Sequence, residues 1–389
     1  MKIALNIANF VPSKGGAEGY AKNLVLQLLN NGHEVHIYAG EIESENKLNY
    51  STLYFHRVPL VKIPRALTDL SFAINSTIAL KKNTFDIVIG IGGSWDVDVT
   101  CPHGGTNRGW FIQNILSVHS SAFIKTLSTL LRWVKLSNHL KFYIDRKIYR
   151  SKRLKRVIAV SQMVKKDLIH YHGLPEEMIN VVYNGVDLNI FNPGNRNTFG
   201  REIRNQYGIS DQSVIILFMA NNFRLKGLHA LIKAVPVIKA KFESDFKLLI
   251  AGRGKKRTFL KLAKKIGCDN SLIFTGQVEK AEKYYAAADI FVHPTFYDPC
   301  SLVCLEALAS GLPVITTVFN GAGEILRNGV EGYVLDDPRN TTDMAEKIGL
   351  FLKKSVREQA GENARKLAEK FPWERNYTEI LDAIINLPS

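Results

Sequence analysis

Two consecutive α/β domains, each a parallel sheet wound with helices on both faces, are the fold this sequence predicts. Three observations predict it: a strand-loop-helix-strand unit at the start, a second and longer alternation from about residue 213, and an Asn/Gly/Pro cluster between them. Strict alternation implies parallel strands, because each helix must carry the chain back along the sheet. A chain of 389 residues has room for two cores of ordinary size.

In order, "KIALNIANF" reads as a buried strand, "VPSKGGAEG" as a loop, "YAKNLVLQLLNNGH" as an amphipathic helix closing on Asn31-Gly32, and "EVHIYAG" as the next strand. "FDIVIGIGG" (85–93) and "RVIAVSQ" (156–162) suit central strands of the same sheet. The join falls in "YNGVDLNIFNPGNRNTFG" (183–200), which places the first domain at 1–190 and the second at 191–372. Beyond it run strand "SVIILFMAN", loop "NFRLKG", helix "LHALIKAVPVIKAKF", strand "KLLIAG", helix "RTFLKLAKKIG" and strand "LIFTG". Helix "KAEKYYAAAD", strand "IFVHP", helix "LVCLEALASG" and strand "PVITT" complete the alternation. Ligands of such sheets bind beyond the carboxyl ends of the strands, so the expected site is a cleft that the two domains face.

Composition narrows the function. The apolar fraction of 46% and charged fraction of 22% are those of a globular protein. A net charge of +15 points to an anionic partner: nucleic acid, a phosphorylated sugar nucleotide or an acidic membrane surface. No apolar run is long enough to span a bilayer, and the start lacks a cleavage signal, so a cytoplasmic location is expected. Cys101, Cys268, Cys300 and Cys304 form neither a disulfide framework nor a zinc-ligand pattern and are expected to be buried thiols.

Three stretches carry candidate chemistry. Gly15-Gly16-Ala17-Glu18-Gly19 follows the first strand and opens a helix, so its amides can approach an anion, or the glycines simply serve a tight turn. A dinucleotide fingerprint and a Walker A motif are absent. At the matching loop of the second domain, Arg224 and Lys226 can reach a phosphate or stand as solvated surface charges. In "HPTFYDPCSLVCLEALASGLPVIT" (293–316), Ser301, Leu302 and Val303 would present free amides at a helix start, a site for a diphosphate. Glu306 is a lone carboxylate on a helix apolar almost all round and requires a partner, which the hydroxyls of a ribose would supply. Asp298, in the loop before that helix, can accept hydroxyls from a bound sugar. Asp298 as a cap-like residue and Glu306 as a buried salt-bridge partner are the structural alternatives.

The spacing "P-x(3)-D-x(7)-EALASGLPVI" resembles the E-x7-E signature of the retaining family-4 glycosyltransferases of GT-B fold. "GGAEGYAKNLVLQLLNNGHEVHIY", "VSQMVKKDL", "NGVDLNIFNP", "YYAAADIFVHPT" and "GAGEILRNGVEGYVL" resemble further segments of that family in the same order. "FPWERNYTEILDAI" is similar to its terminal helix, which implies that 373–389 crosses back to the first domain. Within the family, "GGSWDVD", "HPTFYDPCSLVCLEAL" and the basic middle of the first domain most resemble lipopolysaccharide core glucosyltransferases that act on heptose. The resemblance implies a nucleotide-sugar donor, with uridine as the base, and a glycolipid or oligosaccharide acceptor, with no cofactor and no metal. It implies that Glu306 binds the ribose, Asp298 contacts the donor sugar, Lys226 with Arg224 neutralises the diphosphate, Gly15 and Gly16 approach it, and His103 of "CPHGG" lies beside the sugar. Asp298 stands where the family usually has Glu, and Asn221 and Asn222 stand about where its usual arginine would be. Glu18 and Asp96 are the acceptor-side candidates.

Residues 122–156 hold eleven Lys/Arg against one acid, Asp145, interleaved with Phe123, Trp133, Phe142, Tyr143 and Tyr149. Such a stretch suits an anionic membrane surface or is an ordinary solvated helix, and nucleic acid is disfavoured because no recognition module is visible. Asp96-Val97-Asp98 matches a metal-binding D-x-D string, but an acceptor-side or structural role is favoured. Alternatives of the same fold are a GDP-mannose-type transferase, a sugar-nucleotide epimerase and a soluble glycan synthase; a non-catalytic sugar-nucleotide or membrane-binding protein is the alternative from another class.

Overall fold

The computed structural model describes residues 1–11, 16–43, 50–62, 67–117, 135–385 and 387. Gly15, and the part of the basic stretch that carries Phe123 and Trp133, lie outside the described residues. The chain divides into two compact units, with changes of unit between Tyr183 and Asn184 and between Trp373 and Glu374.

The first unit contains β1 (Lys2–Phe10), α1 (Gly16–Asn30), β2 (Glu34–Ile42), β3 (Leu53–Arg57), α2 (Thr68–Leu80), β4 (Ile87–Ile91) and β5 (Val99–Cys101). It continues through α3 (Asn107–Leu116), α4 (Leu136–Tyr149), β6 (Arg156–Ala159), α5 (Gln162–His172) and β7 (Ile179–Val181). Its sheet is wholly parallel, in the order β3-β2-β1-β4-β5-β6-β7. All five residues of β4 are buried, as expected of a strand covered on both faces. The first helix begins at Gly16, not at Tyr20 as the periodicity predicts, so Gly16 and Glu18 are helical. Glu18 lies in the first turn, where the positive end of the helix dipole favours a carboxylate. The three-residue strands β5 and β7 are too short to leave a periodic signal.

The second unit follows with α6 (Arg201–Gln206), β8 (Val214–Met219), α7 (Leu228–Lys241), β9 (Phe246–Ala251), α8 (Lys256–Lys265), β10 (Leu272–Gly276) and α9 (Ala281–Ala287). It continues with β11 (Ile290–Val292), α10 (Leu302–Ala309), β12 (Val314–Thr317), β13 (Gly332–Leu335), α11 (Thr341–Leu352) and α12 (Lys354–Ala368). The last helix, α13 (Trp373–Ile385), enters the first unit at Glu374, and Asn376 donates to the Tyr183 carbonyl there. The second sheet is also all parallel, ordered β10-β9-β8-β11-β12-β13. Phe218, Leu231, Ile250 and Met344 sit in its core with at most 1% exposure, each such side chain contributing about 1.5–3 kcal/mol. All four cysteines are free and buried, as expected.

Strand order reverses between β1 and β4 in the first sheet and between β8 and β11 in the second. There the loops leaving adjacent strands diverge to opposite sides and open a crevice. Lys226 follows β8 and Asp298 follows β11, so both candidates lie at the second crevice.

Candidate functional site

Two loops of the second unit are joined at its switch point. Gly227 adopts φ +82° and caps α7, and a Cβ there would collide with the Pro294 carbonyl, so only glycine lets the strands' loops approach. Phe296 N donates to the Leu225 carbonyl at 2.8 Å, completing the joint. As a result Lys226 Nζ reaches Asp298 Oδ2 at 2.6 Å and the Tyr297 carbonyl at 3.0 Å. His293 Nε2 lies 3.2 Å from the same carboxylate oxygen. Burial opposes ionisation of Asp298, but the Lys226 ammonium and the His293 hydrogen bond outweigh it and hold the carboxyl well below the usual carboxylate range. Burial also pushes the His293 imidazole down, leaving it neutral beside the pair. The Asp298 cap reading is therefore corrected: its carboxylate is an ion-pair partner, and α10 begins without a side-chain cap.

Asn320, which the sequence did not single out, caps the 3-10 turn Gly321–Ile325 and also reaches the residue before α10. Its Oδ1 accepts from Ser301 N at 3.2 Å and from Ala322 N at 3.0 Å, while its Nδ2 donates to Thr316 Oγ1 at 2.8 Å. The Ser301 amide is thus already satisfied rather than free, and α10 begins at Leu302 with Val303 next. Ser301 Oγ, by contrast, is buried with no partner. One turn into α10, Glu306 Oε2 accepts from the Tyr285 hydroxyl at 2.8 Å, a bond between neutral donor and carboxylate and not a salt bridge. Burial raises the Glu306 carboxyl to about 7, against the lowering effect of the Tyr285 bond. Each carboxylate therefore has one oxygen bound by the protein, and Asp298 Oδ1 and Glu306 Oε1 have no protein partner among the described residues.

Arg224 sits in the same loop as Lys226, and its carbonyl accepts from Gly227 N at 3.1 Å. Lysine has three donors. Two of those on Lys226 are used, so one remains for a phosphate oxygen.

In the first unit, His103 follows β5 and its ring lies against Tyr20 of α1, with centroids 3.6 Å apart. Burial drives its pKa down to about 3, and its Nε2 is buried without a hydrogen-bond partner. It is a neutral imidazole. A cavity of about 210 Å³ opens beyond the carboxyl ends of β1, β4 and β5, lined by Ala8, Gly92, Gly93, Pro102 and Asp145 among others. Asp145, the lone acid of the basic stretch, accepts from Asn107 N at 3.1 Å and from Asn107 Nδ2 at 2.7 Å, and burial raises its carboxyl to about 6. Asp98 is structural: Arg153 Nε and Nη2 donate to it at 3.1 and 3.0 Å, and Val88 N at 2.8 Å. Asp96 faces Lys81 at 4.0 Å and Arg153 at 3.8 Å. Of the aromatic residues expected on a membrane face, Phe142 packs on Phe111 and Tyr149 on His172, while Tyr143 is exposed. No group of His, Cys, Asp and Glu suited to a metal ion, and no helix long and apolar enough to cross a membrane, occurs among the described residues.

Two family models match this chain in tandem: Glycosyltransferase Family 4 over residues 14–190 and Glycosyl transferases group 1 over residues 200–367. The chain belongs to the GT-B glycosyltransferases. An uncharacterized glycosyltransferase of Methanocaldococcus jannaschii is 29% identical, covering 96% of this chain and 95% of that one. The N-acetyl-alpha-D-glucosaminyl L-malate synthase of Bacillus anthracis is 26% identical over 96% of this chain and 94% of its own. The structure of WaaG, a glycosyltransferase involved in lipopolysaccharide biosynthesis, superposes with a TM-score of 0.81 at 21% identity, covering 99% of this chain and 100% of that chain. The lipopolysaccharide glucosyltransferase WaaG of Escherichia coli is 30% identical over 43% of this chain and 46% of its own. HepE of Anabaena, solved with UDP-glucose, gives a TM-score of 0.73 at 18% identity over 100% of both chains.

Tyr285, His293 and Asn320 contact the candidate residues Glu306, Asp298 and Ser301, and sequence reasoning missed them. Only a weak signal pointed to them: Glu306 and Asp298 each required a partner, and nothing along the chain says which side chain meets them. The loops that hold Lys226 and Asp298, in contrast, follow directly from the alternation of strands and helices.

Proposed function

We propose that this glycosyltransferase moves a hexosyl group, with retention, from a UDP-sugar to an anionic acceptor carried on a cell-envelope glycolipid. The observation that carries this reading is the pair of half-occupied carboxylates, Asp298 and Glu306, on either side of the start of α10 with Lys226 held at Asp298. Glu306 Oε1 accepts the ribose hydroxyls and Asp298 Oδ1 those of the donor sugar. The third donor of Lys226, the first amides of α10 and Arg224 stabilise the departing diphosphate. The diphosphate leaves, an oxocarbenium-like centre forms, and the acceptor hydroxyl attacks from the same face while a leaving phosphate oxygen takes its proton. No metal is required, because fixed cations and helix amides meet the charge. His103 serves as a neutral hydrogen-bonding group toward a sugar, and Glu18 and Asp96 serve the acceptor. The structural likeness to HepE with its UDP-glucose and to WaaG supports the donor and the glycolipid acceptor.

A second reading has its own support. The glucosaminyl malate synthase aligns over nearly the whole chain, whereas the lipopolysaccharide enzyme aligns in sequence over less than half. On that reading the acceptor is a small soluble acid. Both are separated by one experiment: nucleoside diphosphate release, UDP from UDP-glucose and UDP-N-acetylglucosamine and GDP from GDP-mannose, measured with L-malate or with extracted lipopolysaccharide core as acceptor, and product anomers assigned by NMR. Inverted product, or release from none of the donors, rejects the proposal.

A further inference from the structure

The first unit has a second cavity, of about 520 Å³, lined by the carboxyl ends of α2 and α4 and by the loop between β4 and β5. Four cations line it: Lys81, Arg146, Lys147 and Arg150. The bland account is that basic residues at helix ends merely complement helix dipoles. Magnitudes argue against it. Each helix end carries about half a negative charge, and Asp96, the single acid in the wall, adds one more, for a total of about two against four positive charges. Arg153 does not enter this balance, being held by Asp98. Among the described residues no carboxylate pairs with Arg146, Lys147 or Arg150, and Lys81 alone of the four approaches Asp96.

The wall also has the features that recognise a polyol. Trp95 and Tyr143 meet edge to face with centroids 6.0 Å apart, and the Trp95 indole N–H is buried with no acceptor. Asp96 has φ 52°, the only non-glycine residue at positive φ among the described residues, and its carboxylate lines the cavity. Such a backbone persists where its surroundings enforce it. The volume is that of a small-molecule site, and a concave pocket of this size does not suit a nucleic-acid duplex.

We propose that this cavity binds a phosphate ester of a polyhydroxylated ligand: Arg146 and Arg150 grip the phosphate, Trp95 and Tyr143 pack on the ligand's apolar face, and Asp96 accepts its hydroxyls. That the ligand is part of the acceptor rests on the proposed function; the binding itself does not. A sugar phosphate and a phospholipid headgroup share this chemistry, and the test separates them.

The full-length protein is titrated calorimetrically with glucose 6-phosphate, glucose and inorganic phosphate, and sedimented with phosphatidylglycerol or phosphatidylcholine vesicles. Glucose 6-phosphate binds and glucose does not, and Arg146→Gln/Arg150→Gln weakens binding by about 100-fold or more, as expected for two charge-assisted bonds. Asp96→Asn, which tolerates the same backbone, weakens glucose 6-phosphate and leaves inorganic phosphate unchanged. UDP binding, measured on each variant, remains and shows that the fold is intact. Binding to phosphatidylglycerol vesicles alone, lost in the double arginine variant, assigns the phosphate to a lipid headgroup. Absence of binding in both arms, or binding indifferent to the arginine substitutions, overturns the proposal, and donor-dependent transfer can persist in either case.

Discussion

At the second sheet's switch point burial of Asp298 is met by an ion pair, whereas beyond the first sheet's strand ends His103 and Asp145 are shifted by burial. Lys226, Asp298 and His293 meet within 3.2 Å, and burial of Asp298 is offset by an ammonium. His103, in contrast, is buried with no charged partner and is driven to about 3. Asp145 is buried among amide bonds and raised to about 6. An ion pair keeps a fixed field ready for a phosphate, whereas a neutral imidazole such as His103 suits a hydroxyl, which needs a hydrogen bond rather than charge.

The comparison breaks most visibly at Lys226. Lys226→Ala leaves Asp298 buried without its cation, so kcat should fall by about 10²- to 10³-fold and the second unit lose about 3–5 kcal/mol of stability. Steady-state kinetics and thermal melting check both, and adding Asp298→Ala should restore part of the stability but none of the activity. Recovery of activity in the double variant would place the catalytic charge elsewhere.

Glu306 sharpens the donor side. Its folded pKa is raised, so its contribution to stability is complete below pH 4.5 and is lost as pH rises through about 7. If Glu306 holds the ribose as proposed, its ionised form accepts the hydroxyls, so donor affinity should move the other way and increase as pH rises through about 7. Glu306→Gln should raise KM for the donor about tenfold and flatten that dependence. A donor affinity insensitive to pH in the wild type would remove Glu306 from the ribose.

A smaller effect is expected at Tyr285. Removing its hydroxyl with Tyr285→Phe deletes one hydrogen bond to Glu306, worth about 1 kcal/mol, and shifts the midpoint of the pH dependence upward, since that bond favours the carboxylate. Titration of donor binding in the variant reads the shift. The smallest expected effect is none: a chelator should leave kcat unchanged, since Asp98 is occupied by Arg153 and Val88 and the charge at the donor is met by fixed groups. Loss of activity restored by added Mg²⁺ or Mn²⁺ would contradict the metal-free mechanism.

Much of the second site was legible because it sits at loops whose place follows from strand order. Lys226 before a conformationally constrained Gly227, and Asp298 before the apolar helix of Glu306, are readable from residue type and spacing. The amide of Ser301 was misread as free because its acceptor, Asn320, lies beyond the next strand. The start of α1 was placed late because glycines break a periodic pattern without preventing a first helical turn.

Sequence alone determined the tandem parallel-sheet architecture, the order of its principal elements, the loops that bear Lys226 and Asp298 and the helix that bears Glu306, because hydrophobic periodicity and alternation are local properties. Tertiary structure decided which groups meet: Tyr285 at Glu306, His293 and Lys226 at Asp298, Arg153 at Asp98, and around one cavity Arg146, Lys147 and Arg150 with no carboxylate partner among the described residues. Partner choice and pKa depend on distance and burial, and neither is set until the sheets have formed.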